Sequence, residues 1–266
     1  MAPAPGRQAE RPRPAWVDAP PLAAPAFDAA YARARRVLTT GWPAKVGPLL
    51  GSAPLLGFVR ALPTVDLRGQ EQLIRSQHLD VDRGWLLGGR VAVAQSIVVL
   101  ADERAAVESA GATPRRLRNQ LAQARRGGLT CAPVAAAERE PLLAAIWAAM
   151  LPPEQAGLPV LLDEGRRAHT VRAPGTWLAV RDGEGRLVAL DMVVHDGGGL
   201  ARLGFMLAAR EHPLRKQARY LLHHAMAEEL RAAGVAAMLS GSALHLNPGM
   251  VNFQRWFNYR VVNVRV

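Results

Sequence analysis

The sequence predicts an α/β protein whose strands and helices share a core, and three stretches carry that prediction. Trp177 to Val180 and Leu187 to His195 flank the turn Asp182-Gly183-Glu184-Gly185 and make the clearest hairpin in the chain. Lys216 to Ala233 repeats Ala218, Leu221, Leu222, Ala225 and Met226 at helical spacing, with Gly234 where a C-cap belongs. Leu200 to Leu207 before that helix and Val235 to Leu239 after it are apolar runs of strand length, so strand, helix and strand alternate. At 266 residues, 50% of them hydrophobic, the chain can bury one large core or two small ones.

Charge and cysteine content narrow the function classes. The net charge is +11 and the pI about 11.2, with Lys45 and Lys216 the only lysines, so the positive surface is an arginine surface. Anionic partners suit it: acyl carrier protein, CoA, tRNA, an acidic peptide or an anionic membrane surface, which charge does not rank. Cys131 is the single cysteine, which excludes an intrachain disulfide and any paired-cysteine metal or redox site and fits a cytoplasmic setting. Within Leu129-Thr130-Cys131-Ala132 it reads as a small thiol on a strand. The signatures HExxH, GxxxxGK[ST] and GxSxG are absent.

From the N-terminus, residues 1–26 are rich in Pro, Ala and Arg, lack the apolar core of a secretory signal, and are expected to be disordered, with Trp16 a candidate anchor. Phe27 to Leu38 is a short helix. Trp42 to Leu62 is apolar, but Lys45, Arg60 and several Gly and Pro interrupt it, so it is no transmembrane span. It is either helices packed on the sheet or a flap over an acyl chain or lipid. Strands are expected at Thr64 to Leu67, Leu73 to Leu79, Trp85 to Leu87 and Val91 to Leu100, and Asp80-Val81-Asp82 reads as a turn. Residues 27–112 together form a helical and strand cap.

Thr113-Pro114 opens a basic helix, Arg115 to Arg126, in which Arg115, Arg116, Arg118, Arg125 and Arg126 surround the apolar side Leu117, Leu121 and Ala124. The arginines form either a solvated face or a patch for phosphates or an acidic carrier. Glu140 to Met150 is a helix stopped by Leu151-Pro152-Pro153, and Gln155 to Thr176 is a Gly- and Pro-punctuated connection. His223-His224 reads as partly exposed helix surface.

Function is most legible from Gly204 to Tyr259. A strand ending at Met206-Leu207 delivers the polar turn Arg210-Glu211-His212-Pro213 to the start of the long helix, where free backbone N–H groups and the positive end of the helix dipole favour phosphate. Arg215 and Lys216 add charge at that corner.

The order strand, turn, helix, Gly, strand, short helix, strand resembles the second half of the GNAT fold, the acyl-CoA N-acyltransferase superfamily. Asn247, Met250, Phe253-Gln254 and Asn258-Tyr259 fall at the spacing of a motif those proteins commonly carry. Phe253-Gln254 followed by Phe257-Asn258 also fits the Fem-type branch, which transfers aminoacyl groups to peptides. Arg115-Arg116-Leu117-Arg118 with Gly127-Gly128-Leu129 resembles the opening of Fem-type and lysyl-phosphatidylglycerol-synthase-type domains, which places an acyltransferase domain at residues 113–266. The resemblance implies a GNAT-like mixed central sheet flanked by helices, with an N-terminal extension. It also implies an acyl donor against Met206, Leu207, Arg215, Lys216, Gln217, Ala218 and Arg219, with Asn247 and Phe253 nearby.

Two departures bear on chemistry. Ala218 and Tyr220 stand where the family's donor turn carries glycine, and without glycine a backbone does not approach a phosphate as closely, which points away from CoA itself. Gln254 stands where many relatives have the Tyr that protonates the leaving thiolate, and Tyr220 or Tyr259 is left for that role.

Amide formation from a thioester needs a neutral amine, a polarised carbonyl and a proton for the thiolate. Glu211, Asp191 and His195 are the candidate bases and Tyr259 the candidate acid. The expectation is an N-acyltransferase that uses an acyl-CoA or acyl-carrier-protein thioester, or aminoacyl-tRNA, an amine acceptor such as a peptide, and no metal. The competing expectation is an inactive GNAT-like module that binds nucleic acid or an acidic protein, although no aromatic residues interleave the arginines of the 115–126 helix as single-strand binding favours.

Overall fold

The computed structural model describes residues 14–39, 53–67, 91–150, 164–195 and 199–265. The strands expected near residues 73–79 and 85–87 and the Asp80 to Asp82 turn lie outside them. Among the described residues the chain runs α1 (Pro25–Thr39), α2 (Ala53–Ala61), β1 (Thr64–Asp66), β2 (Val91–Val99), α3 (Leu100–Glu108), α4 (Ala112–Arg126), β3 (Thr130–Pro133) and α5 (Arg139–Ala148). It continues with α6 (Glu164–Arg172), β4 (Thr176–Arg181), β5 (Leu187–His195), β6 (Leu200–Ala208), α7 (Arg215–Ala232), β7 (Ala237–Ser242), α8 (Pro248–Trp256) and β8 (Arg260–Arg265). Helix α6 lies within what the sequence reads as an irregular connection.

The strands form one mixed sheet in the order β1-β8-β2-β7-β6-β5-β4-β3. β1 with β8 and β6 with β7 are parallel, and the other neighbours are antiparallel. The mixed sheet flanked by helices expected from the sequence is therefore present. It crosses the division expected at residue 113, because β2 sits between β7 and β8.

The sheet is buried on both faces, which is why β5 reads as a near-continuous apolar run. One face packs on α3, α4 and α7 through Leu117, Leu121, Leu222, Met226 and Leu230; the other packs on α5 through Leu143 and Ile146. Fully burying a side chain such as Leu222 or Met226 contributes about 1.5–3 kcal/mol. Part of the segment expected to be disordered is packed as well. Leu22 is fully buried, its N–H donates to Tyr259 O at 2.9 Å, and Val261 N–H donates to Pro20 O at 3.0 Å. Residues 259–261 lie before the part of β8 that pairs with β1, and this segment supplies partners for their backbone groups.

Two local devices shape the sheet's centre. β6 bulges at Gly204, the extra residue between Leu203 and Phe205 opposite Val193 and Met192 of β5; a Cβ there would lie 2.5 Å from Met192 Sδ and 3.0 Å from Met192 O. In β2, Ala94 takes φ 49° beside a second bulge, and its N–H donates to Asn263 Oδ1 at 3.2 Å while Asn263 Nδ2 donates to Val59 O at 2.8 Å. One buried amide thus joins α2, β2 and β8.

Candidate functional site

β6 and β7 are parallel neighbours that pair only at Leu200–Ala237, Ala201–Met238 and Arg202–Leu239. β6 then continues through residues 203–208 and β7 through residues 240–242 without further pairing to each other, so the sheet opens into a wedge. The chain leaving β6 turns directly into α7, which puts that helix's N-terminus at the mouth of the wedge.

The start of α7 is held in place by side chains the sequence did not single out. Asp182, in the β4–β5 turn, accepts from the N–H groups of Glu184 at 3.0 Å and Arg186 at 2.9 Å and from Arg186 Nε at 2.7 Å. Burial acts to raise this carboxyl, but the Arg186 bonds and the Glu184 N–H carry it down to about 2. The same carboxylate lies 3.4 Å from His212 Nε2, and His212 Nδ1 accepts from Leu214 N–H at 3.2 Å. The hairpin turn therefore fixes the residues that precede α7. Arg215 N–H donates to His212 O and Ala218 N–H to Leu214 O, whereas Lys216 and Gln217 N–H have no backbone partner among the described residues. Two donors are thus left without a backbone partner at the positive end of an 18-residue helix.

The residues expected to hold a donor divide. Arg215, Lys216, Gln217, Ala218 and Arg219 form this first turn: Lys216 is exposed, Ala218 is buried, and Gln217 Nε2 donates to Gln123 Oε1 on α4 at 3.1 Å. Met206 is half-buried against the α7 side of the sheet, while Leu207 is buried against the α5 side. Asn247 caps α8, its Oδ1 accepting from Met250 N–H at 2.9 Å. Phe253 is buried among Tyr220, His223 and Phe257, and Tyr220 stacks on Trp256 with ring centroids 5.4 Å apart. The position where the donor turn lacks glycine is thus filled by an aromatic cluster.

The four candidate proton-transfer residues do not converge. Glu211 is exposed in the turn before α7, 3.7 Å from Arg210. His195 lies at the far end of β5, 3.0 Å from Thr176 Oγ1. Asp191 and Tyr259 are both buried, and Tyr259 feels the field of Asp191. Asp191, opposite Met206 on β6, is fully buried, and neither carboxyl oxygen has a hydrogen-bond partner. Burial pushes its carboxyl well above the usual range, and Met192 N–H, outside hydrogen-bond geometry, offsets only part of this. Tyr259 is raised well above its ordinary value by burial and then by the fields of Asp191 and Glu103. Burial, with Asp191 and Glu229, also raises the Cys131 thiol to about 12, which removes it as a nucleophile at neutral pH.

His223 is a correction. The sequence reads it as partly exposed, yet it is fully buried with neither ring nitrogen hydrogen-bonded. Its ring lies 4.1 Å from that of Phe257 and 5.6 Å from that of Tyr259. Burial, opposed by Glu103, carries its pKa down to about 4. Its spacing puts it on the inner face, three residues after Tyr220 and four before Ala227, and its polarity argued the other way.

Its neighbour His224 belongs to a satisfied network. Glu103, fully buried on α3, lies 3.0 Å from His224 Nδ1 and accepts from Arg231 Nη1 at 2.9 Å; Arg231 also contacts Glu228. Glu103, His224 and Glu228 each offer an atom within 4.8 Å of the others, a spacing that would admit a metal, but the Arg231 guanidinium already occupies both carboxylates. No helix among the described residues is long and apolar enough to cross a membrane.

No protein family and no curated protein matches the chain. Among solved structures it is similar to FemX, with 8% identity and a TM-score of 0.48 over 79% of this chain and 66% of that one. It is also similar to L-PGS from Bacillus licheniformis, with 15% identity and a TM-score of 0.43 over 64% of this chain and 58% of that one. A GCN5-related N-acetyltransferase from Kribbella flavida matches at 16% identity and a TM-score of 0.35, over 64% of this chain and 56% of that one. These neighbours lie in the GNAT, Fem-type and lysyl-phosphatidylglycerol-synthase-type group that the sequence resembles. The chain spans less than two thirds of their length, and any chemistry has to be read from its own residues.

Proposed function

We propose that the chain is an N-acyltransferase that moves an acyl or aminoacyl group from a thioester or other activated carrier to the amine of a peptide, amino acid or small molecule. The observation that carries this reading is the wedge between β6 and β7, with the first turn of α7 at its mouth. A parallel pair that separates offers a slot between two strands for an extended donor arm. The unpaired N–H groups of Lys216 and Gln217, with the Arg215, Lys216 and Arg219 side chains, offer a phosphate site where that arm would emerge.

In the transfer, the acceptor nitrogen adds to the carbonyl carbon, the bond from that carbon to the leaving sulfur breaks, and the proton lost by the amine is taken up by the thiolate. Held reactants account for much of the rate, so few side chains have to act. Of the four candidates, Asp191 and Tyr259 are the buried ones, with Tyr259 in the field of Asp191; Glu211 is exposed at the donor mouth and His195 lies at the other end of β5. Tyr220, raised to about 12 by burial, is embedded in the aromatic cluster.

The test is donor binding. Native mass spectrometry and thermal shift with acetyl-CoA, long-chain acyl-CoA, an acylated carrier protein and an aminoacyl-tRNA should reveal one stabilising donor. Arg215→Ala should weaken that donor roughly tenfold with the fold intact. A folded variant with unchanged affinity would refute the phosphate site, and a wild type that responds to none of the four would refute the transferase.

A further inference from the structure

Helix α4 carries arginine without carboxylate: Ala112–Arg126 holds five arginines and no Asp or Glu. Elsewhere arginines meet acids, as Arg104 meets Glu108, Arg231 meets Glu103 and Arg260 meets Asp102. On α4, Arg118 donates to Val107 O at 2.8 Å and to Ser109 O at 2.7 Å, which braces the helix on the end of α3. The other four, Arg115, Arg116, Arg125 and Arg126, are exposed and have no ion pair or side-chain hydrogen bond among the described residues. Packing does not require them, since Leu117, Leu121 and Ala124 are the buried residues of the helix. Arg125 and Arg126 suit the negative end of the helix dipole. Arg115 and Arg116 do not, because they follow a first turn that contains no acid to offset them.

These positions form a band. At 1.5 Å per residue Arg115 and Arg126 are about 17 Å apart, or about three turns. The line between them runs over Asn119 and Ala122, at spacings of four, three and four, and those short side chains leave room for a partner to lie along the helix. The C-terminal end of the band adjoins the donor corner. Gln123 Oε1 accepts from Gln217 Nε2 at 3.1 Å, and Gly127 packs so closely on Leu214 that a Cβ would not fit there. Leu214 and Gln217 flank the start of α7, so whatever lies along α4 has one end at the mouth of the wedge.

We propose that the exposed arginine face of α4 docks an acidic carrier protein, one whose surface helix presents Asp and Glu and whose acyl group rides as a thioester on a flexible arm. This rests on the transferase reading and names the carrier of its donor. Charge complementarity selects the partner class, and guanidinium forks take carboxylates two bonds at a time. The donor corner argues for an arm with a single phosphate rather than CoA. Ala218 is fully buried and Tyr220 stacks on Trp256 where glycines would let a backbone close on a pyrophosphate. On a carrier the remaining negative charge lies on the protein surface, where α4 meets it. A single-stranded nucleic acid would need aromatic platforms beside the charge, and α4 has no aromatic residue.

The full chain is titrated against an acyl carrier protein in its apo form, which lacks the arm, and in its acetylated form, by fluorescence anisotropy at about 50 and about 300 mM NaCl. The apo form reads docking on α4 apart from any binding in the wedge. Saturable binding of both forms that weakens with salt is expected, with a loss of about tenfold or more in the chain carrying Arg115→Gln, Arg116→Gln, Arg125→Gln and Arg126→Gln. Reversing two acidic residues on the carrier helix to Lys should weaken binding to the wild type and restore it to a chain carrying Arg115→Glu and Arg126→Glu, a rescue that a misfolded variant does not give. No binding of the apo form, unchanged affinity in the folded Arg→Gln variant, or tighter binding of a single-stranded RNA or of phosphatidylglycerol vesicles through the same arginines would overturn the proposal. Carrier docking without acyl transfer to any amine upholds the surface and removes the transferase; transfer from acetyl-CoA without carrier binding spares the transferase and sinks the surface.

Discussion

Two carboxylates in this molecule are equally buried and opposite in every other respect. Glu103 on α3 is held by His224 and Arg231, and those partners pull its carboxyl below its ordinary range although burial pushes the other way. Asp191 on β5 has no hydrogen-bond partner, and burial alone drives it up. A buried charge that has been given partners fastens elements together, here α3 to the C-terminal half of α7. A buried carboxyl left without them is costly to the fold in its charged form. The difference separates a satisfied carboxylate from an unsatisfied one at equal burial.

Stability measurements can break that contrast. The largest effect is expected at the satisfied end: Glu103→Gln leaves Arg231 with a weaker partner and His224 without its carboxylate, and should cost about 3–5 kcal/mol in urea unfolding. A loss below 1 kcal/mol would mean that the network holds nothing. On the acid side Glu103 has a folded pKa below its unfolded value, so its contribution is complete above the unfolded value and fades as pH falls.

His223 sharpens the comparison from the other direction. Its folded pKa of about 4 lies below the ordinary 6.5, so the unfolded chain binds the extra proton first and stability falls as pH drops through that window. The effect amounts to about 3 kcal/mol, and His223→Phe should flatten this acid limb when unfolding is followed at pH 4 and pH 7. An unchanged limb would place the titration elsewhere.

The gentlest expectation is a slope. Asp191 binds its proton more tightly folded than unfolded, so stability should decline with rising pH above the unfolded value near 3.8, by at most about 1.4 kcal/mol per pH unit. Asp191→Asn should remove that slope while Glu103→Gln leaves it in place. A slope that survives in Asp191→Asn would show that the carboxyl is partnered after all.

The comparison also shows what a linear reading can find. Strand β5 and the β4–β5 hairpin follow from alternation between an apolar run and a Gly-punctuated acidic turn, and α7 with its Gly234 C-cap follows from spacings of three and four. The proposed donor corner, Arg215 and Lys216 after a polar turn, could be named from the sequence because its features lie within a few residues of each other. The burial of the candidate proton-transfer residues could not. Asp191 could be named as a candidate, but its likeness to Glu211 and His195 in sequence hid that it alone is buried, and His223 was taken for surface because histidine is polar.

The sequence by itself determined most of the described elements, the mixed α/β character, the net positive charge and a helix start with basic residues beside it, because periodicity, capping and charge are local properties. The tertiary structure decided the rest. It placed β2 between β7 and β8, let β6 and β7 part after three pairs, and set His212 against Asp182 so that α7 begins at the wedge. It also gave Glu103 its partners and Asp191 none. Hydration, hydrogen-bond satisfaction and the position of a strand in a sheet depend on residues far apart in the chain, and they exist only once the chain has closed on itself.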